Sequence, residues 1–181
     1  MKLAIRSLVI AGLIGGGIWL WMYFNPGPEE AIRRRLADVA REVSFSGDEG
    51  LVARVAHSQK LAGYFAREVS LRIDLPEVSS QDGMSRDEIA QFALALRSSS
   101  YFRSLKVQCL DPVITLGADR KSAIVDLTLR AETVGDKYLV VQEMKFTMKE
   151  VDGEWLILRV ETVKTLNRAP TPRLPGTMGF A

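Results

Sequence analysis

Seventeen consecutive residues without a formal charge, Leu8 to Phe24 (LVIAGLIGGGIWLWMYF), restrict this chain more than any other feature. At about 1.5 Å per helical residue the run measures roughly 26 Å, and Ser7 and Asn25 bring it close to the ~30 Å hydrocarbon core of a bilayer. A helix satisfies its own backbone donors and acceptors, so side chains alone decide insertion, and none of these carries charge. The sequence therefore predicts a short tail over 1–6 and one transmembrane helix over 7–25. Lys2 and Arg6 ahead of an apolar run would also suit a cleaved signal peptide. A cleavage site, however, wants small residues after the apolar core, and Trp19, Trp21, Met22, Tyr23 and Phe24 fill that place. Trp19, Trp21 and Tyr23 suit an interfacial aromatic belt instead.

Orientation follows from the flanks. Arg33, Arg34, Arg35 and Arg41 after the span would favour the inside by Lys and Arg count. A very short tail, Glu29 and Glu30 directly after the span, and a large following domain favour an N-terminus in the cytoplasm. The expectation is a single-pass membrane protein whose domain lies outside the cytoplasm, in the periplasm. Gly12 and Gly16 form a GxxxG spacing that lets two such helices approach.

Without Lys2 and Arg6, the remaining 22 Lys and Arg are balanced by 22 Asp and Glu. A nucleic-acid binder needs excess cations to displace counterions from phosphates, so no nucleic-acid partner is expected. The lone cysteine, Cys109, reads as a small buried hydrophobe in an alternating strand. Residues 28–166 suffice for one domain with one core. The stretch from 167 to 181, NRAPTPRLPGTMGFA, is rich in proline and glycine and reads as a disordered tail.

Within the domain, Asn25-Pro26-Gly27-Pro28 ends the membrane segment, and Ile32, Leu36, Val39, Ala40 and Val43 then recur at helical spacing. A second helix is expected from the Ser46-Gly47-Asp48 turn to about Gly63, its stripe carried by Leu51, Val55 and Ala62. Val69, Leu71 and Ile73 alternate with polar residues and predict a strand. Residues 75–83 read as a loop. Ser85 and Glu88 form a capping box that starts a third helix, which ends at Ser98-Ser99-Ser100.

From Leu105 the period is two, giving antiparallel strands near 105–116, 123–134, 138–150 and 155–166. Asp111-Pro112 predicts a bulge, because proline cannot donate to a ladder. Two-residue turns at Gly135-Asp136 and Asp152-Gly153 fix the register. They place Gln142, Met144, Phe146 and Met148 opposite Val163, Glu161, Arg159 and Ile157, on the face shared by Val125, Leu127 and Leu129. Leu156, Leu158 and Val160 fall on the other face as an apolar row, which predicts a sheet-to-sheet homodimer.

Three helices with one inserted strand, then a long bent four-stranded meander, resemble the nuclear transport factor 2-like superfamily of SnoaL-like and cystatin-like cones. The DGEW hairpin at 152–155 and the closing strand LILRVETVKTL at 156–166 carry the likeness. The resemblance implies an α+β fold: three N-terminal helices packed on a strongly bent antiparallel sheet. It also implies a pocket on the concave face, with Gln142, Arg159 and Glu161 as polar anchors for a small apolar ligand. Met144, Phe146, Leu127 and Trp155 would be its walls.

Enzymes of such folds use pocket carboxylates with Tyr, His or Arg. Here His57 lies off its helix's apolar stripe, Asp126 and Glu132 point away from the apolar face, and Asp74 sits at a strand end. Arg159 beside Glu161 would lower the carboxylate's pKa, the wrong direction for a base. No catalytic residue, metal or cofactor is expected. Two functions remain: a membrane-anchored, non-catalytic cone that binds a small apolar ligand or a partner protein, and a self-associating assembly subunit. The second resembles in layout the single-span factors of type IV secretion. An isomerase, dehydratase or hydrolase comes third.

Overall fold

Pro28 stands in the first turn of a helix, where a missing N–H is no loss, and α1 runs from it over Pro28–Val43. Glu29 and Glu30 lie in its first turn and Arg41 in its last, each sign suited to the helix dipole. The computed structural model describes residues 27–73, 81–99, 103–133 and 139–168. The run Leu8–Phe24 lies outside them, as do residues 169–181 of the expected tail, whereas Asn167 and Arg168 are paired with Val141 and Val140 in the last strand. Among the described residues no helix is long and apolar enough to cross a membrane.

After α1 come β1 (Phe45–Ser46), α2 (Leu51–Gly63), β2 (Phe65–Arg72), β3 (Gln81–Ser85) and α3 (Arg86–Ser98). The meander follows as β4 (Ser104–Leu116), β5 (Ser122–Glu132), β6 (Leu139–Val151) and β7 (Glu154–Arg168). Ser85 accepts from the Glu88 amide while the Glu88 carboxylate takes the Ser85 amide at 2.7 Å, so the capping box forms. The helix α2 starts three residues beyond the Ser46-Gly47-Asp48 turn expected to begin it, with Gly50 at its N-cap and no side-chain cap bond.

The sheet has seven strands in the order β1-β4-β5-β6-β7-β2-β3. It is antiparallel except where β2 joins β7 in parallel, and β1 and β3 are additions to the expected set. Asp111 takes the left-handed region (φ 50°) at a register shift between Leu110 and Val113, the bulge that Pro112 demands. Asp152 and Gly153 both have positive φ (53° and 82°), as a two-residue primed turn needs, and Val151 pairs with Glu154. The expected turn at Gly135-Asp136 lies outside the described residues, but the register it predicts is found: Glu132 pairs with Leu139, and Leu127 with Met144.

In β7 the expected register fails after four pairs. Met148 faces Ile157, but Thr147 faces Arg159 and Phe146 faces Val160, so Leu158 is an extra residue. Further shifts leave Thr162 opposite Met144 and Thr165 opposite Gln142. Each extra residue bends the strand and raises its twist, which is how a long sheet curls into a cone. The slip turns β7 over. Val160 joins the core, while Arg159 and Glu161 move to the outer face beside Thr147 and Lys145.

The concave face is filled. Ile32 and Leu36 of α1, Leu61 and Ala62 of α2 and Ile89 and Ala93 of α3 form one cluster with Val125, Leu127, Met144, Phe146, Met148, Trp155 and Ile157. The outer face is that of a one-sided sheet, with Lys145 near Asp126 (3.8 Å) and Arg159 and Arg72 both near Glu161 (3.8 Å). Of the apolar row expected to drive a dimer, Leu156 and Val160 are buried and Leu158 is partly buried. The exposed apolar residues of the outer face include Leu110, Val113, Ile124 and Val163.

Candidate functional site

β5 and β6 alternate without interruption up to their shared loop, so Leu127, Met144, Phe146 and Gln142 share the inner wall. Trp155, paired with Glu150, stands eight residues of β6 away from Gln142, roughly 25 Å at the usual rise. One small ligand cannot touch both. Arg159 and Glu161 lie on the opposite face, through the sheet from these walls. The expected seven-residue site is thus divided: five residues inside at two ends of the wall, two outside.

The inner polar groups are satisfied within the wall. Gln142 Nε2 donates to Thr165 Oγ1 at 3.2 Å, and Thr162 Oγ1 lies 3.5 Å from Met144 Sδ. Leu127, Met144, Phe146 and Trp155 are each no more than 4% exposed, packed against the helices. Two surface depressions are described, and both are open to solvent. One, about 360 Å³, lies between the start of α1 and the β4–β5 turn; the other, about 220 Å³, lies on the outer sheet face by Asp111, Asp126 and Glu143.

A polar cluster stands elsewhere, between the helices. Glu42, near the end of α1, is 3% exposed, and its two carboxylate oxygens meet His57 Nδ1 and Lys60 Nζ of α2, each at 2.6 Å. Burial alone would push the Glu42 carboxyl up. The Lys60 and His57 bonds more than offset it and hold the group below the usual carboxylate range. The His57 ring, 44% exposed, spends Nδ1 on Glu42 and is oriented by it. A carboxylate that orients an imidazole is competent to exchange protons, yet neither described depression includes it.

Beside this cluster Arg97 of α3 is buried. Its guanidinium bonds Glu49 at 2.6 Å and the Glu42 backbone oxygen, and lies 5.4 Å from the centre of the Phe45 ring. It thereby ties the end of α3 to the negative end of α1 and to the start of α2. The sequence did carry the signal for these residues. Glu42 lies on the Ile32, Leu36, Val39 stripe, and Arg97 continues Ile89 and Ala93 at four-residue spacing; a charge on a buried stripe calls for a partner. His57, off the apolar stripe of its helix as expected, is half exposed, and it takes its partner from another helix.

The described residues contain no group of three or more His, Cys, Asp or Glu placed to hold a metal. No protein-family model and no curated protein matches the chain. Solved structures do. A putative scytalone dehydratase from Novosphingobium aromaticivorans superposes with a TM-score of 0.58 at 18% identity, covering 84% of this chain and 94% of that one. A protein of unknown function with a cystatin-like fold from Nostoc punctiforme gives 0.55 at 14% identity, covering 81% and 93%. A nuclear transport factor 2-like protein of unknown function from Pseudomonas putida gives 0.55 at 9%, covering 74% and 84%. At these identities the likeness is one of fold: a cystatin-like α+β cone with three helices on a curled sheet.

Proposed function

We propose that this chain is a membrane-tethered, non-catalytic cone domain that binds a partner protein rather than a small molecule. The observation that carries this reading is the filled concave face. Residues that would wall a ligand pocket, Leu127, Met144, Phe146 and Trp155, are packed against Ile32, Leu36 and their neighbours in one continuous core. A pocket for a drug-sized ligand would need several hundred Å³ of concave space, and this interior is occupied by its own side chains. The apolar run Leu8–Phe24 supports the tether, and the short tail before it supports a domain on the periplasmic side.

The surface offers docking area instead. Leu51 and Val52 at the start of α2 are 70% and 84% exposed, and Val113, Ile124 and Val163 stand out of the outer sheet face. A second copy of the chain is one partner such a surface admits. Cross-linking of the full-length chain in its native membrane, followed by identification of the adducts, tests the proposal. A discrete protein adduct, lost on Val52→Asp or on Ile124→Asp, is the expected result. A stoichiometric small molecule held by the extracted protein and released by Phe146→Ala would overturn it.

One observation favours a second reading. Glu42 and His57 form an oriented acid-base pair, and a solved relative of this fold is named a putative dehydratase. Catalysis would require a substrate to reach His57 from solvent. Turnover of any small substrate abolished by His57→Gln with an unchanged melting temperature would establish it.

A further inference from the structure

Three separated segments meet at one end of the cone. The first turn of α1, the β4–β5 turn and the end of β6 lie together: Gly27, Pro28, Glu29, Arg33, Leu116 and Arg120 surround the 360 Å³ depression, and the Glu150 amide donates to the Lys121 oxygen at 2.7 Å. The β6–β7 turn lies at this end too, through Arg35 Nη2 and Glu154 Oε2 at 3.3 Å. This is also the end where the described chain begins. Phe24, the last residue of the apolar run, is three residues before Gly27, so it is at most about 10 Å away along the chain. By contrast the start of α2, with Leu51 and Val52, lies at the other end of α1, sixteen residues and roughly 24 Å away.

Charges at the near end are not equally available. Glu30 is occupied by Arg34 at 3.0 Å and Glu154 by Arg35. Asp119 is folded into its own turn, accepting from the Lys121 amide, the Ser122 amide and Ser122 Oγ. Arg33, Arg120 and Lys121 have no carboxylate within ion-pair distance among the described residues. Arg33 and Arg120 line the depression together with Glu29 and Glu30, of which Glu29 has no such partner; Glu150 and Asp152, on the β6–β7 side of this end, have none either among the described residues. Arg33 and Arg120 border the depression beside which the described chain begins, so a bilayer entered by the tether would lie on their side of the domain.

We propose that this end of the cone docks on the phosphate layer of the bilayer that holds the tether. Arg33, Arg120 and Lys121 contact anionic headgroups, and α2 points away from the lipid. The inference rests on the membrane tether proposed above and goes beyond it by fixing which face of the domain meets lipid. Phosphates supply the carboxylate-like partners these cations lack within the fold. The docked geometry leaves Leu51 and Val52 presented to a partner at the far end.

The test uses the full-length chain in vesicles of phosphatidylglycerol and phosphatidylcholine, in a Cys109→Ala background. A fluorescent probe goes on Ala118→Cys in the β4–β5 turn or on Val52→Cys, and a headgroup spin-labelled lipid serves as quencher. Quenching at position 118 well above that at position 52 is expected. The difference should shrink in pure phosphatidylcholine and on combined Arg33→Gln, Arg120→Gln and Lys121→Gln. An inserted chain with equal quenching at both positions, or with a difference indifferent to the three substitutions, overturns the docking while leaving the tether intact. A chain that does not insert overturns both.

Discussion

Arg159 is paired with Thr147 across the β6–β7 ladder, one residue away from Phe146, the partner that unbroken alternation from the Asp152-Gly153 turn would give it. That single displacement decides which β7 side chains face the helices. It makes opposite predictions for neighbouring residues. Arg159→Ala removes an exposed side chain with one distant carboxylate, and its effect on stability should stay within about 0.5 kcal/mol. Ile157→Ala, at a fully buried position opposite Met148, should cost about 2–5 kcal/mol. Urea melts of the two variants check this. A large loss for Arg159→Ala would restore the uninterrupted register.

Much of the cone was legible because its signals are local. The α1 stripe, the Ser85–Glu88 box, the Pro112 bulge and the Asp152-Gly153 turn each follow from a few adjacent residues, and all four appear where expected. The candidate site was not legible for the opposite reason. No proline, glycine or turn residue beside Leu158 marks the bulge there, and one inserted residue sends Arg159 and Glu161 through the sheet. The Glu42–His57 contact likewise joins two helices whose relative placement no short pattern encodes. Strands β1 and β3, at two and five residues, are too short to announce themselves by alternation.

Glu42 gives a pH-dependent prediction. Burial raises its carboxyl, but the Lys60 and His57 bonds prevail and the folded-state pKa lies below the ordinary 4.5. A lowered carboxyl stabilises the fold above the unfolded value, and that contribution is lost as pH falls through the folded one. At pH 7, Glu42→Gln should cost about 1–2 kcal/mol, the low end for bonds to a charged group, since both partners are half exposed. Below pH 4.5 the gap between wild type and variant should close. Thermal melts of both proteins at pH 3, 5 and 7 provide the check; a gap independent of pH would mean the bonds do not depend on the carboxylate.

Cys109 faces the inner wall opposite Leu129, and burial pushes its thiol up to about 11 from 9.0. The folded chain should therefore alkylate about a hundredfold more slowly than the unfolded chain near pH 8, in proportion to the thiolate present. For a raised pKa the sign is the reverse of Glu42. The contribution to stability is full below the unfolded value and fades as pH climbs through 11. Equal alkylation rates with and without denaturant would show that the thiol reaches water.

Ser58 is the buried side chain whose hydroxyl has no hydrogen-bond partner among the described residues, and it is 1% exposed on the inward side of α2. A hydroxyl taken from water and left unpaired costs about 1–3 kcal/mol, so this position holds a local loss that the rest of the fold outweighs. Ser58→Ala removes the hydroxyl, leaves a void smaller than a methylene, and replaces a middling helix former by the best one. The first and the third stabilise, and a void that small takes back little of the gain. The variant should be at least as stable as wild type and gain up to about 1 kcal/mol, read as an equal or higher urea midpoint with an unchanged slope. A loss of more than 1 kcal/mol would show that Oγ holds a bond in solution, to a buried water or to a backbone oxygen of its own helix. Ser58→Val separates those two outcomes: its β-branched bulk would displace a water and strain the packing against α3, while a bond to the helix backbone would be lost without any further penalty.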